Sequence, residues 1–319
     1  MSLSSLLKYF PPPKFIDPVK VGISFSDLSI KAVLFEKGSF GPAVKSLMIP
    51  LEQGIIKEGL ILKPEELVKK LKEVKEKINS PFISFTIPDE VTYIFSSSVP
   101  ISQGKDATES IAFSIEENVP ISLSDTVFDF IPIGVKQIDS GYEGSFIVAA
   151  CVRVEVEKII NSLERAGFDV VCGIPESQAV VNAVIPKNSE GFSCVVHIRD
   201  NRVGMYLVNK NVVTFATIRS LSPEDYENQV ADEYEKFDEY YNKYGDSKGS
   251  TIKNVFVCGE FEYAKRAVSI ISSKCQPSIK VVLANIWSNS LSLHESTPNL
   301  PYEKSLSFAG SVGATIDNL

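Results

Sequence analysis

Two segments of the chain share one pattern, a strand, a short turn and a second strand, and this repetition constrains the fold most. The first segment is VGISFSDLSIKAVLF at residues 21–35, and the second is SCVVHIRDNRVGMYLVNKNVV at residues 193–213. Their apolar runs of strand length, broken by turn residues, predict β-hairpins, and segments with helical periodicity follow each of them. A hairpin opening that occurs twice predicts a duplicated α/β fold, with two lobes facing one another across a cleft.

The pattern around the hairpins predicts the domain boundaries. The first lobe covers residues 20–90 and 151–190, and the second lobe covers residues 191–319. Residues 91–150 predict a strand, a helix and two further strands, which form a small α+β insert in the first lobe. Residues 1–19 form an N-terminal tail that a run of prolines separates from the fold. We expect this tail to be disordered or docked, with a short membrane-touching segment as the alternative.

Composition and charge argue against several classes of function. The 319 residues carry a net charge of −8 without a long basic run, so nucleic acid is not expected as a partner. No apolar run approaches the roughly 20 residues that a membrane-spanning helix needs. The five cysteines occur singly and the two histidines lie far apart. This pattern favours free thiols in a reducing cytoplasm over disulfides or a zinc site.

Six segments, taken in order, resemble the PilM family of actin-like cytoplasmic proteins of type IV pilus assembly, together with its relatives in type II secretion. The resemblance extends over roughly residues 20–316, and the order and spacing of the segments carry it. The segments are VGISFSDLSIKAVLF, LEQGIIKEGLILKPEELVKKLKEV, ESIAFSIEENVPISLSDTVFDF, GSFIVAACVRVEVEKIINSLERAGFDVVCGIPESQAVVNAV, NVFVCGEFEYAKRAV and YEKSLSFAGSVGATI.

The resemblance implies both a fold and a function. The fold is α/β and actin-like (ribonuclease H-like), a duplicated two-lobe fold with the small α+β insert in its first lobe. Its second-lobe subdomain is shortened, since only SPEDYEN separates TIRSL from the next helix. The implied function is that of a non-enzymatic cytoplasmic scaffold in a type IV pilus or type II secretion-like platform. Such a scaffold binds the N-terminal tail of a PilN-like inner-membrane protein and is peripheral to that membrane through its partner.

Actin-like proteins hold ATP between two hairpins and a glycine-rich loop, and the resemblance locates these positions here. The first family hairpin has an aspartate and a glycine where this chain has Ser24 and Ser26, while Lys31 is retained. The second family hairpin begins with Asp-Ile-Gly, which is His197, Ile198 and Arg199 here, and the Gly-Gly of the adenosine loop is Gly259 and Glu260. The degenerate nucleotide positions are therefore Ser24, Ser26, Lys31, His197, Gly259 and Glu260.

The chemistry that ATP binding needs is missing at several of these positions together. Carboxylate oxygens hold Mg²⁺, glycines let backbone N–H groups approach phosphate, and a cation offsets the phosphate charge. Only the cation remains in the first hairpin. We therefore expect no cofactor and no metal, and a pseudo-ATPase in place of an ATPase.

A peptide-binding groove is expected between the actin-like core of the first lobe and the insert. Apolar side chains there would anchor an extended or helical tail. The candidate partner-binding residues are Ile55, Ile56, Leu60, Ile159, Leu163 and Phe168, and ordinary core packing is the alternative for each of them.

Two other functions stay open at this point. One is an assembly switch that binds ATP with Mg²⁺ and hydrolyses it slowly, using Lys31, Ser26 and Gly259. The other is a relative of the cell-division protein FtsA, which also carries an insert in its first lobe. The resemblance also leaves self-association open.

Overall fold

The structure is a computed structural model that describes residues 19–38, 41–101, 107–139, 141–187, 189–244, 252–290 and 298–316. The tail predicted over residues 1–19 lies outside the described residues except for residue 19.

A five-stranded mixed sheet with the order β10-β6-β1-β2-β3 forms the first lobe. β1, β2 and β3 form an antiparallel meander, while β6 and β10 continue the sheet in parallel with β1. A short hairpin of β4 and β5 follows β3. The strands are β1 (Val21–Phe25), β2 (Ser29–Gly38), β3 (Gly41–Pro50), β4 (Ile56–Lys57), β5 (Leu60–Ile61), β6 (Phe82–Ile87) and β10 (Asp169–Pro175).

Helices α1 (Pro64–Lys77) and α3 (Arg153–Arg165) contact one another and bury their apolar faces in the core of this lobe. α1 begins at a proline, which has no N–H to leave unpaired, and its first turn is acidic while its last turn is basic. Leu67, Leu71 and Val74 recur at helical spacing and are fully buried. The sequence pattern therefore predicted this helix correctly.

The insert is a three-stranded antiparallel sheet with the order β7-β9-β8, covered on one face by helix α2 (Thr108–Asn118). Its strands are β7 (Thr92–Ile101), β8 (Thr126–Ile138) and β9 (Gly141–Val152). Ile111 and Ile115 of α2 pack against Phe146 and Val148 of β9. The predicted order of strand, helix, strand and strand is confirmed.

The second lobe repeats the plan, with the sheet order β13-β12-β11-β14-β15. Its strands are β11 (Phe192–Arg199), β12 (Arg202–Asn209), β13 (Val212–Ser220), β14 (Ile252–Gly259) and β15 (Lys280–Leu283). Helices α5 (Tyr226–Tyr244) and α6 (Phe261–Lys274) cover one face of this sheet. β13 reaches α5 through a short 3-10 turn at Pro223–Asp225, so the connection there is brief, as the sequence suggested.

Two helices lie between the lobes, α4 (Glu176–Val184) and α8 (Ala309–Gly313), and a short helix α7 (Tyr302–Ser305) precedes α8. A Cβ atom at Gly313 would lie 1.6 Å from the carbonyl oxygen of Ala179, and one at Gly22 would lie 1.9 Å from that of Ser311. The glycines therefore let α8 pack directly on α4 and β1. The sequence placed this last helix with the second lobe, but its contacts are also with the first.

Candidate functional site

The turns of the two repeated hairpins meet at the cleft between the lobes. A cavity of about 10 Å³ lies there, which is room for about one water molecule. The cavity is lined by Ser24, Phe25, Ser26, Ser29, Lys31, Glu176, His197, Arg199, Ser307 and Gly310. The structure thus brings together four of the predicted nucleotide positions, and Gly259 and Glu260 lie next to them.

The serines of the first hairpin bond to their own turn. The backbone N–H of Ser29 donates to the Oγ of Ser26 at 3.1 Å, and the N–H of Ser26 donates to the carbonyl of Ser29 at 2.9 Å. The two hydroxyls are 3.0 Å apart. These hydrogen bonds satisfy the turn locally, as serine side chains commonly do, and they leave little polar capacity for a phosphate.

Lys31 is paired with a carboxylate. Its Nζ lies 3.4 Å from Oε1 of Glu260, and only 8% of the lysine side chain is exposed. Glu260 occupies the loop after β14, where Gly259 has a φ of +111° and a Cβ would lie 1.7 Å from the carbonyl oxygen of Ile198. Gly259 is therefore needed for close packing of β14 on β11, while Glu260 supplies the negative charge that the retained lysine faces.

Arg199, which sequence reasoning noted only as a bulky replacement for glycine, is the centre of the site. Its Nη2 donates to both carboxylate oxygens of Glu90 at 3.0 Å, and its Nη1 lies 2.8 Å from Oε2 of Glu176. Arg202 also donates to Glu90, and it donates to Oδ2 of Asp27 at 2.8 Å. We call Asp27, Glu90, Glu176, Arg199 and Arg202 the interlobe ion cluster.

Every contact between an arginine and a carboxyl group in this cluster joins the two lobes. The arginines stand at the turn between β11 and β12 in the second lobe. Glu90 precedes β7, and Glu176 begins α4. Asp27 stands in the turn of the first hairpin and also accepts from the backbone N–H of Glu58 at 3.0 Å. The cluster is therefore a cross-link of several charge-assisted hydrogen bonds between largely buried groups, which are stronger than hydrogen bonds between neutral groups.

A second buried chain of hydrogen bonds lies beside the cluster. The hydroxyl of Tyr206 donates to Oδ2 of Asp89 at 2.7 Å, and the N–H of Ser177 donates to Oδ1 at 2.9 Å. Because the hydroxyl proton is used on Asp89, Nδ1 of His197, 3.3 Å away, acts as the donor to Tyr206. Burial, with Arg199 and Lys31 nearby, lowers the pKa of His197 well below its ordinary value, so the ring is neutral.

Burial also decides which carboxyl groups of the cluster are charged. It raises the pKa of Glu176 to about 8, since the opposing effect of Arg199 is smaller and the carboxyls of Asp89 and Glu90 add to the shift. Burial would also raise the pKa of Glu90, but Arg199, a backbone hydrogen bond and Arg202 outweigh it, so this pKa is lowered. Glu90 is therefore the charged partner of both arginines, and Glu176 holds a proton at neutral pH.

These residues do not fit a Mg²⁺–nucleotide complex. The cavity has the volume of about one water molecule, and its two cations, Lys31 and Arg199, are already paired with carboxylates. The position of the metal-ordering aspartate holds His197, which is neutral. Within the described residues, no group of three or more histidine, cysteine, aspartate or glutamate side chains could hold a metal ion.

A larger cavity lies where the insert meets both lobes. The sequence led us to expect a groove between the insert and the first-lobe core, but none of the six residues named for it lines this cavity. Its volume is about 120 Å³, and its walls come from the insert face opposite α2, the junction of β10 and α4, and β13. We call it the insert groove. The lining residues are Ile94, Asp129, Phe130, Ile131, Ile147, Ala149, Pro175, Gln178, Val212 and Val213. The one sequence signal for it is the apolar run along β8. Successive side chains of a strand point to opposite faces, so this run places apolar residues on both faces of the insert sheet.

Five of the six residues predicted to bind a partner lie in the core of the first lobe. These five have exposed fractions of 3% or less: Ile55, Ile56, Ile159, Leu163 and Phe168. They fill the space around α1, α3 and the five-stranded sheet, so core packing, the alternative weighed for each, is their role in this structure. Only Leu60 among the six is exposed, at 38%.

The fold and the site define a class of protein, actin-like two-lobe proteins, and in this chain ion pairs cross the cleft between the lobes. The sequence profile of the family described as type IV pilus assembly protein PilM matches residues 22–245. Because this match covers more than half of the chain, the chain belongs to the PilM family.

Solved structures agree with this fold at low sequence identity. A PilM–PilN type IV pilus biogenesis complex superposes with a TM-score of 0.76 and 16% identity, covering 93% of this chain and 98% of that chain. The cytoplasmic domain of EpsL, an inner-membrane component of the type II secretion system of Vibrio cholerae, gives 0.53 and 10%, covering 92% and 94%. The ethanolamine utilization protein EutJ of Carboxydothermus hydrogenoformans gives 0.51 and 12%, covering 95% and 90%.

None of the functionally curated proteins matches this sequence. Among the described residues, no helix is both long enough and apolar enough to cross a membrane.

Replacing Arg199 should destabilise the protein strongly. Arg199→Met keeps much of the side-chain volume but leaves Glu90 and Glu176 buried with one cation fewer, and losing one partner of a buried pair costs about 3–5 kcal/mol. Urea unfolding measures the loss. The control is Arg266→Met, since Arg266 pairs with Glu227 on the surface, where such pairs contribute about 0–1 kcal/mol. Equal losses in both variants would contradict a stabilising role for the cluster.

The buried proton on Glu176 predicts a pH dependence of stability. Its pKa rises from 4.5 to about 8 on folding, so the folded chain holds the proton more tightly than the unfolded chain. This contribution is complete below about pH 4.5 and is lost as the pH rises through about 8. Urea unfolding from about pH 5 to about pH 9 should show the wild type losing stability relative to Glu176→Gln, which mimics the protonated acid. A constant difference between the two proteins would contradict the prediction.

Proposed function

We propose that this protein is a non-enzymatic scaffold on the cytoplasmic side of a type IV pilus assembly platform, where it binds the N-terminal tail of a PilN-like inner-membrane protein. The observation that carries the proposal is the insert groove, an open apolar cavity in a chain that belongs to the PilM family. A similar solved structure, with which this chain shares its fold, is a PilM–PilN complex.

The insert groove has the chemistry of a peptide site. Nearly all of its lining is aliphatic or aromatic, which suits apolar anchor residues of a short segment. Two edge strands, β8 of the insert and β10 of the first lobe, stand beside it, and edge strands offer backbone groups to an extended peptide. Ile131 of β8 lines the groove with 47% of its surface exposed, so the groove is accessible from outside.

In this proposal the protein does not bind a nucleotide. The interlobe ion cluster bridges the lobes at the place where actin-like proteins hold ATP, so side chains of the chain itself supply the cross-link. The competing function, an ATP-dependent switch, would require Lys31 and Arg199 to exchange their carboxylate partners for phosphate. It would also require the cavity to grow far beyond about 10 Å³.

Membrane attachment follows from the partner in this proposal. The platform protein spans the membrane and its tail holds the scaffold at the cytoplasmic surface, so the scaffold is peripheral.

A charge placed in the groove should abolish tail binding. We expect Ile131→Glu to weaken binding of a synthetic peptide, the N-terminal tail of the PilN-like protein from the same organism, by tenfold or more, because burying a lone carboxylate is unfavourable. Fluorescence anisotropy measures the affinity. The matched control is Phe113→Glu, since Phe113 is 73% exposed on α2, the opposite side of the insert. Unchanged binding by Ile131→Glu, or equal loss in both variants, would argue against the groove.

Titration calorimetry with Mg–ATP up to millimolar concentration should give no binding heat, with the same result for Lys31→Ala. The reason is that both cations of the cleft are already paired and the metal-ordering carboxylate is absent. Binding at micromolar concentration that Lys31→Ala removes would contradict the pseudo-ATPase proposal and support the ATP-dependent switch.

A further inference from the structure

One charged side chain lines the insert groove, that of Asp129, and the other lining residues are apolar or, in the case of Gln178, amide-bearing. The amide of Gln178 already makes hydrogen bonds within the protein. Its nitrogen donates to Asn182 at 2.7 Å and to the carbonyl of Asn211 at 2.9 Å, and its oxygen accepts from the N–H of Val213 at 3.0 Å. Asp129 is therefore the polar group of the groove that is left for a ligand.

The strand register fixes where Asp129 stands. It pairs with Ala149 of β9, and Ala149 pairs with Ile94 of β7, so these three residues form one row across the insert face that points into the groove. The next row contains Ile131 and Ile147. A carboxylate thus lies between rows of apolar side chains, at the open edge of the sheet where β8 is the outermost strand.

The carboxylate of Asp129 has spare hydrogen-bonding capacity. Its Oδ1 accepts from the N–H of Phe130 at 2.8 Å, and the part of the chain that the structure describes provides no ion pair to it. An ionised carboxylate accepts several hydrogen bonds. A ligand that covers the groove would shield this group from water, and such a group then needs a cationic partner to offset the cost of burial.

The proposed partner carries suitable cations. Cytoplasmic segments close to membrane-spanning helices are enriched in lysine and arginine, and this chain has a net charge of −8. Asp129 is exposed in the free protein. A lysine or arginine held by this carboxylate once the tail covers it gives specificity for one register of the tail, beyond the general attraction between opposite charges.

We infer that Asp129 determines the specificity of the insert groove by pairing with one lysine or arginine of the bound tail. This inference rests on the proposed function. Because side chains of an extended segment alternate between its two faces, the same face of the tail carries an apolar residue two positions from the basic one. That residue packs against Ile131 and Ile147. The recognised chemistry is therefore a short extended segment with a basic residue and an apolar residue at a spacing of two.

The test is a double-mutant cycle between the full-length protein and the tail peptide. The variant Asp129→Asn keeps the oxygen that accepts from Phe130 and removes only the charge. The control Asp139→Asn removes one charge from the same hairpin, at the turn between β8 and β9, away from the groove lining. Fluorescence anisotropy is recorded with the natural tail peptide and with a series in which each lysine or arginine is replaced in turn by glutamine.

We expect Asp129→Asn to weaken binding of the natural tail about tenfold, as the loss of a charge-assisted contact does, while Asp139→Asn stays within about twofold. One peptide of the glutamine series should bind the wild type about tenfold more weakly and show no further loss with Asp129→Asn. Equal small effects of both variants would overturn the inference. If Asp129→Asn binds like the wild type while Ile131→Glu does not bind, the inference about Asp129 is wrong, and the insert groove is still supported as the binding site of the tail. If the wild type does not bind the tail at all, the proposed function fails with it.

Discussion

The buried pairing of Arg199 with Glu90 is the interaction on which the arrangement of the two lobes depends. Charge-assisted hydrogen bonds are among the strong ones in a protein. Here Nη2 of Arg199 in the second lobe donates to both carboxylate oxygens of Glu90 in the first lobe. Burial makes the pair costly unless both members are present. The lobes consequently have one favourable relative position, and the helices α4 and α8 pack between them in that position. In an actin-like protein that binds ATP, the nucleotide lies in this cleft; in this structure, side chains of the two lobes meet across it.

Much of the fold was predictable because it depends on local periodicity. The repeated hairpins, the insert order and the first-lobe helix α1 all show apolar residues at the spacing of a strand or helix, and the structure contains them. The last helix was harder. The segment 302–316 has small residues on one face, which the sequence shows, but the reason is the direct contact of Gly313 with Ala179 and of Ser311 with Gly22. Those partners are over a hundred residues away, so no local pattern identifies them.

The candidate sites, like the fold, were predictable only in part. The degenerate nucleotide positions were located through the resemblance to the family, because each stands in a hairpin or loop whose place along the chain is recognisable, and four of them line one cavity. The role of Arg199 could not be predicted, since its partners Glu90 and Glu176 lie in segments without a motif. The apolar residues proposed for partner binding, such as Ile159 and Leu163, were indistinguishable in sequence from core residues, and they are core residues. A groove beside the insert was expected, but the residues that line it were missed because three separate parts of the chain build its walls.

The three parts of the chain that build the walls of the insert groove also reach the cleft between the lobes. Glu90 of the ion cluster stands four residues before Ile94 of the groove, and Glu176 follows Pro175 of the groove directly. The remaining wall, from β13, belongs to the lobe that carries both arginines. A tail that touches all three walls contacts both lobes, in the arrangement that the ion cluster joins. The ion cluster and the groove are in this sense two ends of one set of chain segments that runs from the cleft to the insert.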